Sequence, residues 1–193
     1  MKIEGKRIVV TGAASGIGRA LAHAFNDNGA RKVVCADLNF EEAQNTADSF
    51  KGLAIKCNVG DENEIQDLIQ ESTDWMKGID IFCSNAGIMG EIGLLETSSE
   101  KWQSIWEINV MAHVYAAKAV LPQMLERGEG YLMNTASAAG LLTTLGAAPY
   151  TVTKSAAVSF AGYWCFLSLP SSCENCNDCR WSRGCWCRWY VGA

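Results

Sequence analysis

Apolar runs of four to six residues alternate along this chain with amphipathic stretches of ten or more, a pattern that predicts repeated βαβ units around a parallel sheet. The strands fall at Arg7–Thr11, Lys32–Asp37, Leu53–Cys57, Ile79–Cys83 and Gly130–Thr135. Helical patterns separate them at Gly16–Asn28, Phe40–Phe50, Glu62–Lys77 and Ser98–Arg127, and a further helix starts near Ala148. Thr97-Ser-Ser-Glu100 reads as a capping box that opens the longest helix. Runs such as Ile8-Val-Val and Ile79-Asp-Ile-Phe-Cys imply strands covered on both faces. The expected class is α/β.

Composition bounds the partners. With 193 residues, 49% hydrophobic and 19% charged, the chain can bury one real core and carries no compositional sign of disorder. A net charge of -5 without a Lys/Arg cluster leaves no electrostatic footprint for nucleic acid or an anionic membrane, so small molecules are the expected partners. No stretch reaches the ~18 apolar residues of a membrane span, and the N-terminus runs directly into a strand, so a cytoplasmic protein is expected. Cys35, Cys57 and Cys83 sit in buried strands or at their ends and read as core thiols. His23 and His113 form no ligand-like pair and read as structural.

The first strand leads into Thr11-Gly12-Ala-Ala-Ser15-Gly16-Ile17-Gly18 and then a helix, an arrangement that aims backbone N–H groups and a helix N-terminus at a pyrophosphate. A glycine turn alone is weak, since it can serve merely to turn the chain. Here Asp37 follows at the end of the second strand, nineteen residues beyond Gly18, where a ribose-binding carboxylate belongs. The plainer reading of Asp37 is a solvated turn residue. As a ribose ligand it would repel a 2′-phosphate, and Ala13, Ala14, Ser15 and Leu38 offer no cation to offset that. NAD(H) is therefore favoured over NADP(H).

Tyr150 and Lys154, four apart on the expected helix, share one face, so the ammonium can approach the phenol. A nearby positive charge lowers an acid's pKa by roughly 1–3 units, bringing a phenol of about 10 toward useful proton transfer. Ser137, thirteen residues upstream, can hydrogen-bond the same substrate oxygen. In isolation each has a bland alternative: a half-buried aromatic, a solvated lysine, a small residue at a strand end.

Taken together, Thr11-x3-Gly-Ile-Gly18, Asn85-Ala86-Gly87, Asn109, Ser137 and Tyr150-x3-Lys154 resemble the short-chain dehydrogenase/reductase family, in order over residues 1 to about 161. The resemblance implies a three-layer Rossmann fold and NAD(P)-dependent interconversion of a secondary alcohol and a ketone. It implies Tyr150 as acid/base, Ser137 as the oxygen's hydrogen-bond partner, and Lys154 on the nicotinamide ribose. It also implies Asn109 as the anchor of a water behind Lys154, and Asn85, Ala86 and Gly87 beside the adenosine. Tyr150, Lys154, Asn58 and Val59 join the implied cofactor contacts. Asn58 stands where many members carry an aspartate on the adenine ring, and Ser84 replaces a frequent asparagine. Full-length relatives would pair as homodimers or homotetramers through the Ser98–Arg127 and Tyr150 helices, though the same helices would also pack on the sheet in a monomer.

The resemblance breaks after Ala161. Between Trp164 and Ala193 ten of thirty residues are Cys or Trp, against six in the preceding 163. Cys173-x2-Cys176-x2-Cys179 with Cys185-x-Cys187 has thiolate spacing suited to zinc or an iron–sulfur cluster. The other origin is a reading-frame slip near Ala161–Gly162: the codons of Ser172–Asn177, read one base later, permit a basic-apolar strand pattern of the kind the family places next. The expected organisation is a cofactor-binding domain at 1–161 and an aberrant Cys/Trp-rich tail at 162–193, with the family's last two strands missing. A catalytically impaired nucleotide-binding remnant and a Cys-rich metal module stay open as alternatives to the enzyme.

Overall fold

The computed structural model describes residues 2–90 and 93–167. Five strands, β1 (Arg7–Thr11), β2 (Lys32–Asp37), β3 (Leu53–Lys56), β4 (Ile81–Ser84) and β5 (Tyr131–Asn134), form one sheet in the order β3-β2-β1-β4-β5. Every pairing is parallel. The chain winds outward from β1 through β2 to β3, then returns to lay β4 on the other side of β1. That reversal opens a crevice at the carboxyl ends of β1 and β4, the place where sheets of this kind bind ligands.

The two-residue period of the strands divides the core. Ile8, Val10, Val33, Cys35, Ile81 and Cys83 face α1 (Gly16–Asp27) and α2 (Phe40–Asp48), packing with Ala22, Phe25, Ala43 and Ala47. Val9, Val34, Ala36 and Phe82 face the opposite way, onto α3 (Glu62–Met76) and α5 (Ala112–Arg127). The result is three layers, as the doubly apolar strands require. Burial pushes the thiols of Cys35, Cys57 and Cys83 up to about 12, and all three are free.

Local chemistry sets the helix starts. The Asn39 side chain accepts from Glu42 N, and Asp61 accepts from Asn63 N and Glu64 N. Pro149 lies in the first turn of α6 (Ala148–Leu167), where its missing N–H costs no helical bond.

Three expectations need correction. The single helix at Ser98–Arg127 is instead α4 (Ser99–Trp106), a π turn (Glu107–Met111) and α5, because an extra residue enters the helical register around Asn109. The cap of α4 is Ser98, which accepts from Lys101 N, while the Thr97 hydroxyl donates to the Gly93 carbonyl at 3.0 Å. β4 starts at Ile81 rather than Ile79, since the Ile79 N–H goes to Gln123 Oε1 and the Asp80 carboxylate to Arg7. α6 runs unbroken past Ala161 to Leu167. The cysteine cluster from Cys173 to Cys187 lies outside the described residues.

Candidate active site

The site is assembled where β1, β4, β5 and α6 come together. The Thr11 hydroxyl, at the end of β1, accepts from the backbone N–H groups of Asn85 (2.9 Å) and Ala86 (3.2 Å). The Asn85 amide donates to the Thr11 carbonyl at 3.0 Å and accepts from the Thr135 hydroxyl at 2.9 Å. One asparagine thus staples the ends of three strands, a tighter role than the adenosine-side contact implied for the Asn85-Ala86-Gly87 segment.

The glycines of the turn have separate reasons. A Cβ on Gly18 would fall 2.0 Å from the Gly12 carbonyl oxygen, and one on Gly12, at φ +69°, would fall 2.9 Å from Ala86 Cα. Both are required by the protein's own packing. Gly16 differs: its φ of +50° disfavours a side chain, yet nothing lies within 4 Å of where a Cβ would stand. That open space fronts the first N–H groups of α1, which have no intrahelical partners. Ser15, at the N-cap, makes no side-chain capping bond, and Ile17 beside it is exposed. A diphosphate fits this cradle.

Asp37 is held rather than loose. One carboxylate oxygen accepts from Ala14 N and the other from Asn39 N, each at 3.0 Å. Each oxygen keeps a free lone pair for a ribose hydroxyl. Arg19, the nearby cation, donates to the Ala14 carbonyl and is paired with Glu42 at 2.6 Å. Asn58 turns its Oδ1 onto Gly60 N at 3.1 Å, and Val59 is buried in the α3–α5 core. Both contacts are part of the protein's own packing.

Tyr150 and Asn109 lie around Lys154, which is 3% exposed. Its ammonium donates to the Thr135 carbonyl at 3.1 Å and lies 5.8 Å from the centre of the Tyr150 ring. Burial lowers its pKa. Asn109, fully buried, faces the same region from the π turn: it accepts from Ile88 N and donates to the Ile88 carbonyl, both at 2.8 Å, and its amide also reaches the Thr153 hydroxyl. Between the two sits Gly87, where a Cβ would stand 3.1 Å from Asn109 Oδ1 and 3.2 Å from Lys154 Nζ. π turns concentrate at functional sites because they re-aim one residue inside a helix.

Ser137 opens a 3₁₀ turn (Ala138–Gly140), accepting from Ala139 N at 3.2 Å. That turn packs on α6 so closely that a Cβ on Gly140 would fall 2.5 Å from the Lys154 carbonyl oxygen. Glycine at 140 therefore sets how near Ser137 stands to the Tyr150 helix.

Sequence reasoning missed Thr135, Thr153 and Gly140. Thr135 acts on Lys154 through a backbone carbonyl, which leaves no side-chain signal. The partner of Ser84 also leaves no signal in the sequence. Ser84 pairs its hydroxyl with His113 Nδ1 at 2.7 Å, both buried, with His113 Nε2 left without a partner. Burial, assisted by the Lys154 charge, pushes the His113 pKa down to about 3.

A glycine turn feeding a helix N-terminus at the switch point of a parallel sheet is the arrangement of a dinucleotide-binding α/β domain. The short chain dehydrogenase family model matches residues 6–167, and the chain belongs to that family. It is 36% identical over 154 residues to an uncharacterized oxidoreductase of Staphylococcus aureus (strain USA300), covering 78% of this chain and 66% of that protein. It is also 36% identical over 169 residues to the 1-deoxy-11-beta-hydroxypentalenate dehydrogenase of Streptomyces exfoliatus, covering 83% and 61%. Among solved structures, a short chain dehydrogenase/reductase from Burkholderia phymatum in complex with NAD superimposes with a TM-score of 0.83 at 28% identity, over 86% of this chain and 61% of that one. Levodione reductase gives 0.81 at 25% identity, over 85% and 66%. The chain thus spans about two thirds or less of the length of these relatives.

Proposed function

We propose that the protein interconverts a secondary alcohol and a ketone using NAD(H), with Tyr150 as acid and base. The observation that carries this reading is the buried Lys154 ammonium, fixed by Thr135 and placed against the Tyr150 ring. A cation so placed stands beside the tyrosine that would exchange a proton with the substrate oxygen. When bound, a nicotinamide cofactor supplies or accepts the hydride. The chain does the rest: Ser137 hydrogen-bonds the substrate oxygen, and Tyr150 gives that oxygen a proton in reduction or removes one in oxidation. Lys154 holds the ribose, and Asn109 fixes the loop at Ile88 that borders them. Gly12, Ser15, Gly16, Ile17 and Gly18 form the diphosphate cradle, with Asn58, Val59, Asn85, Ala86 and Gly87 bordering the adenosine side.

Asp37 supports NAD(H) over NADP(H), because its carboxylate is locked in place and Arg19 is already engaged by Glu42. The same reading assigns 1–161 to the cofactor domain, 162–193 to the Cys/Trp-rich tail, whose first residues continue α6 to Leu167, and the protein to the cytoplasm, in keeping with the free buried thiols of Cys35, Cys57 and Cys83.

The test is NADH- and NADPH-dependent reduction of a ketone panel by the whole chain. NADH is expected to be preferred by about 100-fold in kcat/KM, and Asp37→Ser to reduce that preference at least tenfold. Tyr150→Phe is expected to lower kcat by roughly 10²–10⁴ with unchanged NADH affinity. Dinucleotide binding without turnover of any ketone by the wild-type chain would leave the nucleotide-binding remnant as the correct reading.

A further inference from the structure

Two loops flank the catalytic hydroxyls, and both are tied to residues of the site. The first follows β4: Asn109 grips Ile88 through its N–H and carbonyl. The second joins Ser137 to Tyr150: Leu142 N donates to the Ala138 carbonyl at 2.8 Å, and Thr144 N to the Thr151 hydroxyl at 3.3 Å. The loops meet through a hydrogen bond from Gly93 N to the Gly146 carbonyl at 2.6 Å.

Much of what these tethered loops expose is apolar. Leu95 is 93% exposed, Leu145 94%, Leu142 71% and Leu141 64%, with Met89 at 53%. Exposed apolar side chains scattered singly need no explanation, but a group of them on two bonded loops marks a binding surface. The charge pattern is equally one-sided. Residues 136–149 contain no charged side chain, and residues 86–96 contain only Glu91 and Glu96. Lys154, beside Tyr150, is buried and bonded to Thr135. Among the described residues of these loops a carboxylate or phosphate on the substrate would find no cation to pair with.

Resting on the ketone/alcohol reading above, we infer that the substrate is a bulky, uncharged, apolar ketone or secondary alcohol, its body lying on Leu141, Leu142 and Leu145 while its oxygen reaches Ser137 and Tyr150. The chain order makes this occupant the natural one. The leucines lie on the loop that joins Ser137 to Tyr150, so a molecule whose oxygen reaches both residues meets that loop. Each methylene in such a site discriminates by roughly tenfold or more.

Three probes test it with the whole chain: 4-tert-butylcyclohexanone, cyclohexanone and 4-oxocyclohexanecarboxylate. NADH oxidation gives kcat/KM, and calorimetry with NAD present gives binding independently of turnover. The tert-butyl compound is expected to exceed each of the others by at least about tenfold. Leu142→Asp and Leu145→Asp are expected to remove that preference, and Leu125→Asp, on the exposed face of α5, to keep it. Preference for the carboxylate, or Leu142→Asp and Leu145→Asp chains that keep the wild-type ratios, would overturn the inference. So would variants that change only the oligomeric state, which would make the loops a contact between copies. If no ketone is turned over, the ketone reading fails by itself. Calorimetry then decides the apolar site: tert-butyl binding lost in Leu142→Asp upholds it, and absence of binding to the wild-type chain overturns it.

Discussion

A lysine withdrawn from water to 3% exposure, with one carbonyl as its hydrogen-bond partner, costs folding free energy. Burial lowers the Lys154 pKa from 10.5, so the unfolded chain binds this proton more tightly than the folded one. As pH falls from 10.5 through the lowered value, stability is lost. Lys154→Met keeps the stem and removes the charge. Its melting temperature is expected to rise by roughly 2–4 °C, corresponding to about 1 kcal/mol for a chain of this size. NADH-dependent turnover should meanwhile fall by at least about 10²-fold. A thermal scan paired with the NADH assay checks both, and a drop in melting temperature would show that the bond to Thr135 outweighs desolvation.

Among the elements, glycines 16 and 140 separate cofactor binding from substrate chemistry. At Gly140 an added Cβ meets the Lys154 carbonyl at 2.5 Å and Val158 Cγ2 at 2.9 Å, so Gly140→Ala must push the 3₁₀ turn and Ser137 off α6. Its kcat is expected to fall more than tenfold with dinucleotide affinity nearly unchanged. At Gly16 the added Cβ meets no protein atom, but it carries the strain of φ +50° and occupies the diphosphate approach. Gly16→Ala should therefore weaken NADH binding, read by fluorescence titration, while leaving Ser137 in place. The glycine turn and Tyr150-x3-Lys154 were legible in the sequence because their chemistry lies in side chains, or in the lack of them, at fixed spacing. All five strands were legible because hydrophobic runs of that length have few other uses. The π turn was not: its apolar residues continue the helical pattern on both sides, and only the pairing of Asn109 with Ile88 across the chain shows the shifted register. Ser84 and His113 escaped for a similar reason, being 29 positions apart and each unremarkable without the other.

For the molecule as a whole, the pair formed by Ser84 and His113 ties the interior strand β4 to the first turn of α5, so its protonation state bears on global stability. The folded His113 has its pKa pushed from 6.5 down to about 3, first by burial and then by the Lys154 charge. Between those values the unfolded chain carries a proton that the folded chain refuses. The folded state is therefore fully favoured by this group above pH 6.5 and loses about 1.4 kcal/mol for each pH unit below it. Asp80 acts in a lower window. Burial pushes its pKa up, but hydrogen bonds from the Arg7 side chain and backbone outweigh that and hold it below 3.8, so its contribution persists until pH falls through that value. Over pH 4.5–6.5 the slope from buried groups should thus come from His113. Urea unfolding across that range is expected to show the wild-type stability falling steeply with acid, and His113→Phe, whatever its absolute stability, to show a slope smaller by about one proton. Equal slopes in the two chains would mean that the folded protein admits a proton at His113, through local opening at the junction of the π turn and α5.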